Sequence, residues 1–415
     1  MNSYSQKMLD AIKENDLVEA QLAFENALRE DQPEFLVELG EQLFALGFLE
    51  EAQEVFEQLV TLFPEEASLL ITLAEIAIEN DELETAFTYL EKIAKDDPSY
   101  VESLLVTADI YQIMGVPEVS EKKIKEAQKL MPGEPVLDLA LAELLFVNDK
   151  FLEAIRLYEQ LLNQDLEQMA HIDLYDRLGT SLSMIGEFEE AIPYLEKSLE
   201  EEQTDHVLFR LGVTYIQLGE REKAITYLEQ LRLLNPTYET LYLPLASALL
   251  DENQHLEAEK VMAEGLAQNP YSVDLYHLAS DNAFRLGKQA DAEEYMRKAI
   301  SLEEDKEFSM IKLANLLLVE ERFEEVVDTL SEFASQDQPQ AHWSLAKAYN
   351  GLEDFKQAGL HYEKAFEGLK EEPEFLKDYG IYLREEGQND QAQLVLEAYL
   401  LHVPGDTEVY DLLER

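Results

Sequence analysis

The chain is predicted to be an all-α solenoid, an α-α superhelix of about twelve helical hairpins ending in a C-terminal capping helix. Three observations predict it. A small residue recurs with a period near 34, at Ala20, Ala52, Ala86, Ser120, Ala154, Ala191, Ala224, Ala258, Ala292, Val326, Ala358 and Ala392. A second small column, from Gly40 and Ala74 to Ala346 and Gly380, precedes it by twelve residues. Turn residues stand five before the marker, among them Gly47, Gly115, Gly186, Gly219, Gly287 and Gly387, and Pro64, Pro98, Pro132, Pro236, Pro270 and Pro404 stand twelve after it.

Each column has a physical reading. Small residues let two helices approach closely, and glycine supplies the left-handed residue that ends the first helix. Proline closes the second, because it cannot continue the hydrogen-bond ladder. Between these stops apolar residues recur at i, i+3, i+4 and i+7, as in Leu36-Leu39-Leu43 and Ala52-Val55-Phe56-Leu59. Each unit therefore reads as two amphipathic antiparallel helices.

In chain order, residues 3–14 read as the first helix of repeat one. Repeat four carries Pro117 and Ser120 where its second helix begins, which predicts an irregular start. The gap of 37 between Ala154 and Ala191 inserts three residues, and the polar stretch 163–170 has no proline stop. A joint is expected there, with a bend between an N-terminal block of about five repeats (1–166) and a C-terminal block of about seven repeats and the cap (167–415). Pro193 is expected in the first turn of a second helix, where it is tolerated. Pro244 is expected deep enough in a first helix to remove a hydrogen bond and bend it. No sheet is expected anywhere. Residues 407–415 read as a short cap, needed because the last repeat lacks a neighbour.

The best copies are Phe209-Arg210-Leu211-Gly212-x-x-Tyr215 followed by Gly219, Ala224 and Asn235-Pro236, and Leu345-Ala346-x-x-Tyr349 followed by Ala358, Tyr362 and Ala365. On these residues the chain resembles the tetratricopeptide-repeat (TPR) family over essentially its whole length. Leu36, Tyr242, Tyr276 or Met310 stands where that family's first Trp usually does. The resemblance is specific for fold and nearly silent on chemistry, since arrays of this kind serve many unrelated partners.

Composition narrows the function classes. Asp and Glu number 88 against 32 Lys and Arg, a formal charge of −56, while a hydrophobic fraction of 46% marks a folding chain. A surface this acidic repels nucleic acid and anionic lipid. Cysteine is absent, which excludes disulfides, thiolate nucleophiles and Cys-ligated zinc. The N-terminal residues lack a secretory pattern, and apolar stretches such as 136–147 are too short to span a bilayer. A cytoplasmic protein without direct membrane insertion is expected. The seven histidines include no i, i+4 pair, and no phosphate loop or nucleophile elbow is found, so no metal, cofactor or enzymatic activity is expected.

What remains is surface. In the family, first helices line the inner face and their second, fifth, ninth and twelfth positions point into a groove. In repeats two to five the ninth positions are Glu41, Glu75, Asp109 and Glu143. Beside this acidic ladder run Val37, Ile71 and Leu105 from the fifth column and Phe44 and Phe146 from the twelfth. Residues 30–91 hold 17 Asp and Glu and no Lys, Arg or His. The expected function is a non-enzymatic protein–protein interaction scaffold or adaptor, gripping a basic, partly apolar segment of another protein in the groove. The alternative is a peptide-sensing regulatory protein of the same repeat type, although 3–14 leaves no room for the N-terminal module such proteins usually carry. Lys312, Asn315, Lys347, Asn350, Lys377 and Arg384 in repeats ten to twelve loosely match a clamp for a partner's C-terminal carboxylate.

Overall fold

The computed structural model describes residues 3–164, 166–303, 306–331 and 338–414. The chain divides into two compact units, residues 1–203 and 204–415. Unit 1 holds six hairpins. They are α1 (Tyr4–Lys13) with α2 (Leu17–Glu30), α3 (Pro33–Ala45) with α4 (Leu49–Leu62), and α5 (Ala67–Glu79) with α6 (Leu83–Leu90). There follow α7 (Tyr100–Ile113) with α8 (Pro117–Leu130), α9 (Pro135–Val147) with α10 (Phe151–Leu162), and α11 (Leu174–Met184) with α12 (Phe188–Glu201).

Unit 2 holds six more. The first three are α13 (Asp205–Gln217) with α14 (Arg221–Leu234), α15 (Tyr242–Asp251) with α16 (His255–Gln268), and α17 (Val273–Arg285) with α18 (Gln289–Leu302). The last three are α19 (Glu307–Val319) with α20 (Phe323–Leu330), α21 (Pro339–Gly351) with α22 (Phe355–Leu369), and α23 (Pro373–Glu385) with α24 (Asn389–His402). The expected cap, α25 (Thr407–Glu414), closes the unit. Asp406 anchors it, accepting from the backbone N–H of Glu408 at 3.1 Å and from Lys377 Nζ at 2.7 Å.

Helix starts and stops follow local chemistry. Proline occupies the first position of α3, α8, α9, α21 and α23, where its missing N–H is no loss. Ser3, Asp16 and Thr204 cap their helices through side-chain oxygens. Every hairpin turns through a residue with positive φ, and all twelve fall in the column five before the marker. Six are the expected glycines; the others are Asn15, Asp81, Asp149, Asn253, Glu321 and Glu353. The small columns close the hairpins. A Cβ on Gly212 would lie 2.5 Å from Leu228, and Leu211 beside it is fully buried.

Several expectations are corrected by where helices start. Pro117 is the first residue of a regular α8, so no irregular start occurs; Ser120 is buried with its hydroxyl unpartnered. A 3₁₀ turn (Glu239–Leu241) precedes α15, which puts Pro244 in the first turn, where no helical bond is lost. Pro193 is the sixth residue of α12, past the first turn, and leaves the Glu189 carbonyl without its helical partner. The 163–170 insertion contributes to an antiparallel ribbon, β1 (Gln168–Met169) against β2 (Ile172–Asp173), turning through left-handed Ala170 and His171. The expectation of no sheet fails there by two residues a strand. Unit 1 continues past this ribbon, and its boundary at Gln203/Thr204 lies one hairpin beyond 166/167.

Candidate functional site

The candidate face of unit 1 is built by the first helices α3, α5, α7 and α9, one turn of each presenting its ninth-column carboxylate. Glu41 is exposed and Glu75 half-buried. Glu75 and Asp109 come close enough to repel each other, and Glu102 of α7, which the ladder omits, joins them. Burial, then repulsion from Glu102 and Asp109, raises the Glu75 carboxyl above the usual carboxylate range. Asp109 offers much of its own surface to solvent, yet surrounding protein crowds the carboxyl, and that desolvation raises it too. Among the described residues, Glu41, Glu75, Glu102 and Asp109 have no ion-pair or hydrogen-bond partner.

Glu143 differs. Arg177 Nε of α11 donates to both of its carboxylate oxygens, at 3.0 and 3.1 Å, and Tyr158 Oη of α10 donates at 2.5 Å. The same guanidinium lies over the Phe146 ring at 4.8 Å, and Phe146 meets Phe151 edge-on at 5.6 Å. The fourth rung is therefore closed from within. Burial and Glu143 together push the Tyr158 hydroxyl up and keep it a donor.

The apolar rails are less open than the spacing predicts. Ile71 is 3% exposed and belongs to the core, so it supports the wall and is corrected as a contact residue. Val37 and Phe44 are half-buried against the core of the first hairpins, and Leu105 is half-buried beside Leu104.

A register rule separates open rungs from closed ones. Arg177, which closes Glu143, stands in the sixth column of the following repeat. In unit 2 the sixth-column Lys312 meets ninth-column Asp281 at 2.7 Å, and sixth-column Asp378 meets ninth-column Lys347 at 3.3 Å. At the equivalent places after Glu41, Glu75 and Asp109 stand Thr72, Val106 and Ala140. None of them is a cation. The same pairs answer the clamp: Lys312, Lys347 and Lys377 are engaged with Asp281, Asp378 and Asp406.

Among the described residues no group of three or more His, Cys, Asp and Glu is arranged to hold a metal ion, and no helix is long and apolar enough to cross a membrane.

Comparison with known proteins covers most of the chain. The family described as YpiA-like tetratricopeptide repeats matches residues 112–166, and its C-terminal counterpart matches 339–406. General tetratricopeptide repeats match 186–249 and 273–306, and the ARM repeat of tetratricopeptide repeat protein 21 matches 6–113. The chain is 32% identical over 356 residues to the TPR repeat-containing protein YpiA of Bacillus subtilis (strain 168), covering 85% of this chain and 84% of that protein. Among solved structures, the APC/C hetero-tetramer Cut9–Hcn1 aligns with 13% identity and a TM-score of 0.43, covering 99% of this chain and 95% of that one. YrrB, described as a TPR protein with an unusual peptide-binding site, aligns with 21% identity and a TM-score of 0.39, covering 45% and 95%.

Proposed function

The chain belongs to the YpiA-like group of tetratricopeptide-repeat proteins, and on that footing we propose that it is a non-enzymatic scaffold whose unit 1 grips a basic, partly apolar segment of a partner protein. Repeats of this family serve protein–protein interaction. The basic character of the segment rests on one observation: among the described residues, no cation pairs with Glu41, Glu75 or Asp109. Glu75 and Asp109, partly desolvated and near each other, are costly to ionise, and a Lys or Arg brought from outside relieves that cost. Glu41, Glu75 and Asp109 set register and speed association. Val37, Phe44 and Leu105 supply the apolar contact, with Glu102 as a fourth acidic contact. Most of the affinity comes from the apolar part, since exposed ion pairs give about 0.2–1 kcal/mol each. The field of the cation-free stretch 30–91 draws a basic partner over a distance set by the ionic strength.

The test is affinity capture from the source cells with the full chain, beside the same chain carrying Glu75→Lys and Asp109→Lys. The expected result is a protein with a Lys/Arg-rich segment that the wild type retains and the double variant loses. Identical sets of captured proteins with the two baits overturn the reading. A short peptide retained in its place moves the assignment to a peptide-sensing regulator.

A further inference from the structure

Each first helix of unit 1 ends on the residue seven before the marker, and that column changes character along the unit. It holds Lys13, Ala45 and Glu79 in the first three hairpins, then Ile113, Val147 and Met184 at the ends of α7, α9 and α11. These last three are 56%, 63% and 49% exposed. They follow the ninth-column residues Asp109, Glu143 and Thr180 by four, so each lies one turn farther along the same side of its helix. Packing does not call for large apolar side chains at this position. In unit 2 it carries Gln217, Asp251, Arg285, Val319, Gly351 and Glu385, four of them polar, at the ends of equivalent first helices. Three exposed apolar residues on three successive hairpins therefore form a stripe that the fold does not require, as binding surfaces do.

The surface beside the stripe says what covers it. On α5 and α7 stand Glu75, Glu102 and Asp109, which have no ion pair among the described residues, and Glu79 carries the same sign of charge into the column of the stripe. On α9 the ladder's carboxylate is already spent: Glu143 accepts from Arg177 Nε at 3.0 Å and from the Tyr158 hydroxyl. The open acidic surface thus gives way to apolar surface at α7, the helix that bears both Asp109 and Ile113.

On the reading that unit 1 grips a basic, partly apolar segment, we propose that this segment is bipartite, with Lys or Arg over α5 and α7 and large aliphatic side chains crossing Ile113, Val147 and Met184. The stripe extends the apolar contact from Leu105 to two hairpins beyond the open rungs. Packed helices lie about 8–10 Å apart and an extended chain advances about 3.3 Å per residue, so the segment meets a new hairpin about every three residues. Both of its parts fit within about twelve residues.

Random dodecapeptides displayed on phage are selected on the full chain, on Ile113→Gln with Val147→Gln and Met184→Gln, and on Glu75→Lys with Asp109→Lys. Glutamine already ends α13, and circular dichroism and thermal unfolding check that each variant keeps the fold. Peptides enriched on the wild type should carry Lys or Arg toward one end and Leu, Ile, Met or Phe toward the other. The triple variant should keep the basic preference and lose the apolar one; the charge variant should lose the basic one. A fluorescein-labelled copy of the most enriched peptide, followed by anisotropy, should bind the triple variant at least about tenfold more weakly, at low and high salt alike. Val147→Gln alone should weaken it about threefold, which keeps the test open if the triple variant unfolds. Basic peptides enriched without an apolar part, or the same bipartite peptides enriched on the folded triple variant, overturn the proposal and leave the basic-segment reading standing. Apolar peptides without Lys or Arg, or no enrichment above the blank support, overturn both.

Discussion

In unit 2, cations tie hairpin to hairpin, Arg221 to Asp251 at 2.8 Å, Lys312 to Asp281 at 2.7 Å and Arg322 to Glu293 at 2.6 Å, and Lys377 ties the last hairpin to the cap through Asp406 at 2.7 Å. In residues 3–117, with the same hairpins and the same twelve-residue spacing of small columns, the one ion pair among the described residues is Arg29–Glu25, at 4.0 Å within a single helix. Both regions bury comparable cores, with Leu39 and Leu211 alike fully buried. The difference teaches that ion pairs are not what folds the array. Exposed pairs contribute about 0.2–1 kcal/mol each, far less than one buried leucine. Among the described residues, no ion pair joins one hairpin to another in the first three hairpins and α7.

The largest expected effects test the shared core. Leu39→Ala in unit 1 and Leu211→Ala in unit 2 should each cost about 2–5 kcal/mol, with hydrogen exchange accelerating mainly in neighbouring hairpins. A loss below about 0.5 kcal/mol at either site breaks the equivalence of the two regions.

Acidification should then drive the regions apart. His342 of α21 and His361 of α22 are buried with their Nδ1 atoms 2.9 Å apart, and Tyr349 stacks on His361. Burial, then the neighbouring His342 and Lys364, lowers His361 to about 4. Below about pH 6.5 the unfolded chain takes up a proton that the folded His361 refuses, so stability here falls with pH down to about 4. The loss is about 3 kcal/mol and disappears in His361→Phe if that variant keeps the fold. Glu75 and Asp109 have the opposite sign. Their folded carboxyls hold protons at pH values where the unfolded ones do not, so α5 and α7 gain stability as pH falls toward the ordinary carboxylate range. Hydrogen exchange at pH 7 and pH 5 should show α21–α22 loosening and α5–α7 tightening; a change of the same sign in both removes the distinction.

Salt gives the smallest effect. Raising NaCl from 0.05 to 0.5 M should stabilise the hairpins of residues 3–117 and slightly weaken those of unit 2, each by less than about 1 kcal/mol.

Much of this was legible in the sequence. The 34-residue columns located all twelve hairpins, and the column before each marker located all twelve left-handed turns, six of them without glycine. Proline effects were not legible, because they depend on the helix start to within a residue or two; a 3₁₀ turn displaced α15 and made Pro244 harmless. The ladder was legible as a column, but the closure of Glu143 was not read from it. Comparing each ninth-column residue with the sixth column of the next repeat finds Arg177 after Glu143 and Thr72, Val106 and Ala140 after the other three. The burial of Ile71 depends on neighbouring helices, and a single helix's periodicity does not contain it.

The most direct measurement closes two of the three open rungs, Glu41 and Asp109, from within. Thr72→Lys and Ala140→Arg place cations where Arg177 stands in the next repeat, leaving every carboxylate in place. Association of the captured partner segment is then timed against the wild-type chain at several salt concentrations. Slower association and a flatter salt dependence are expected, with folding stability unchanged or raised. Unaltered association at every salt concentration would contradict it, because neutralised rungs would then serve the partner as well as open ones.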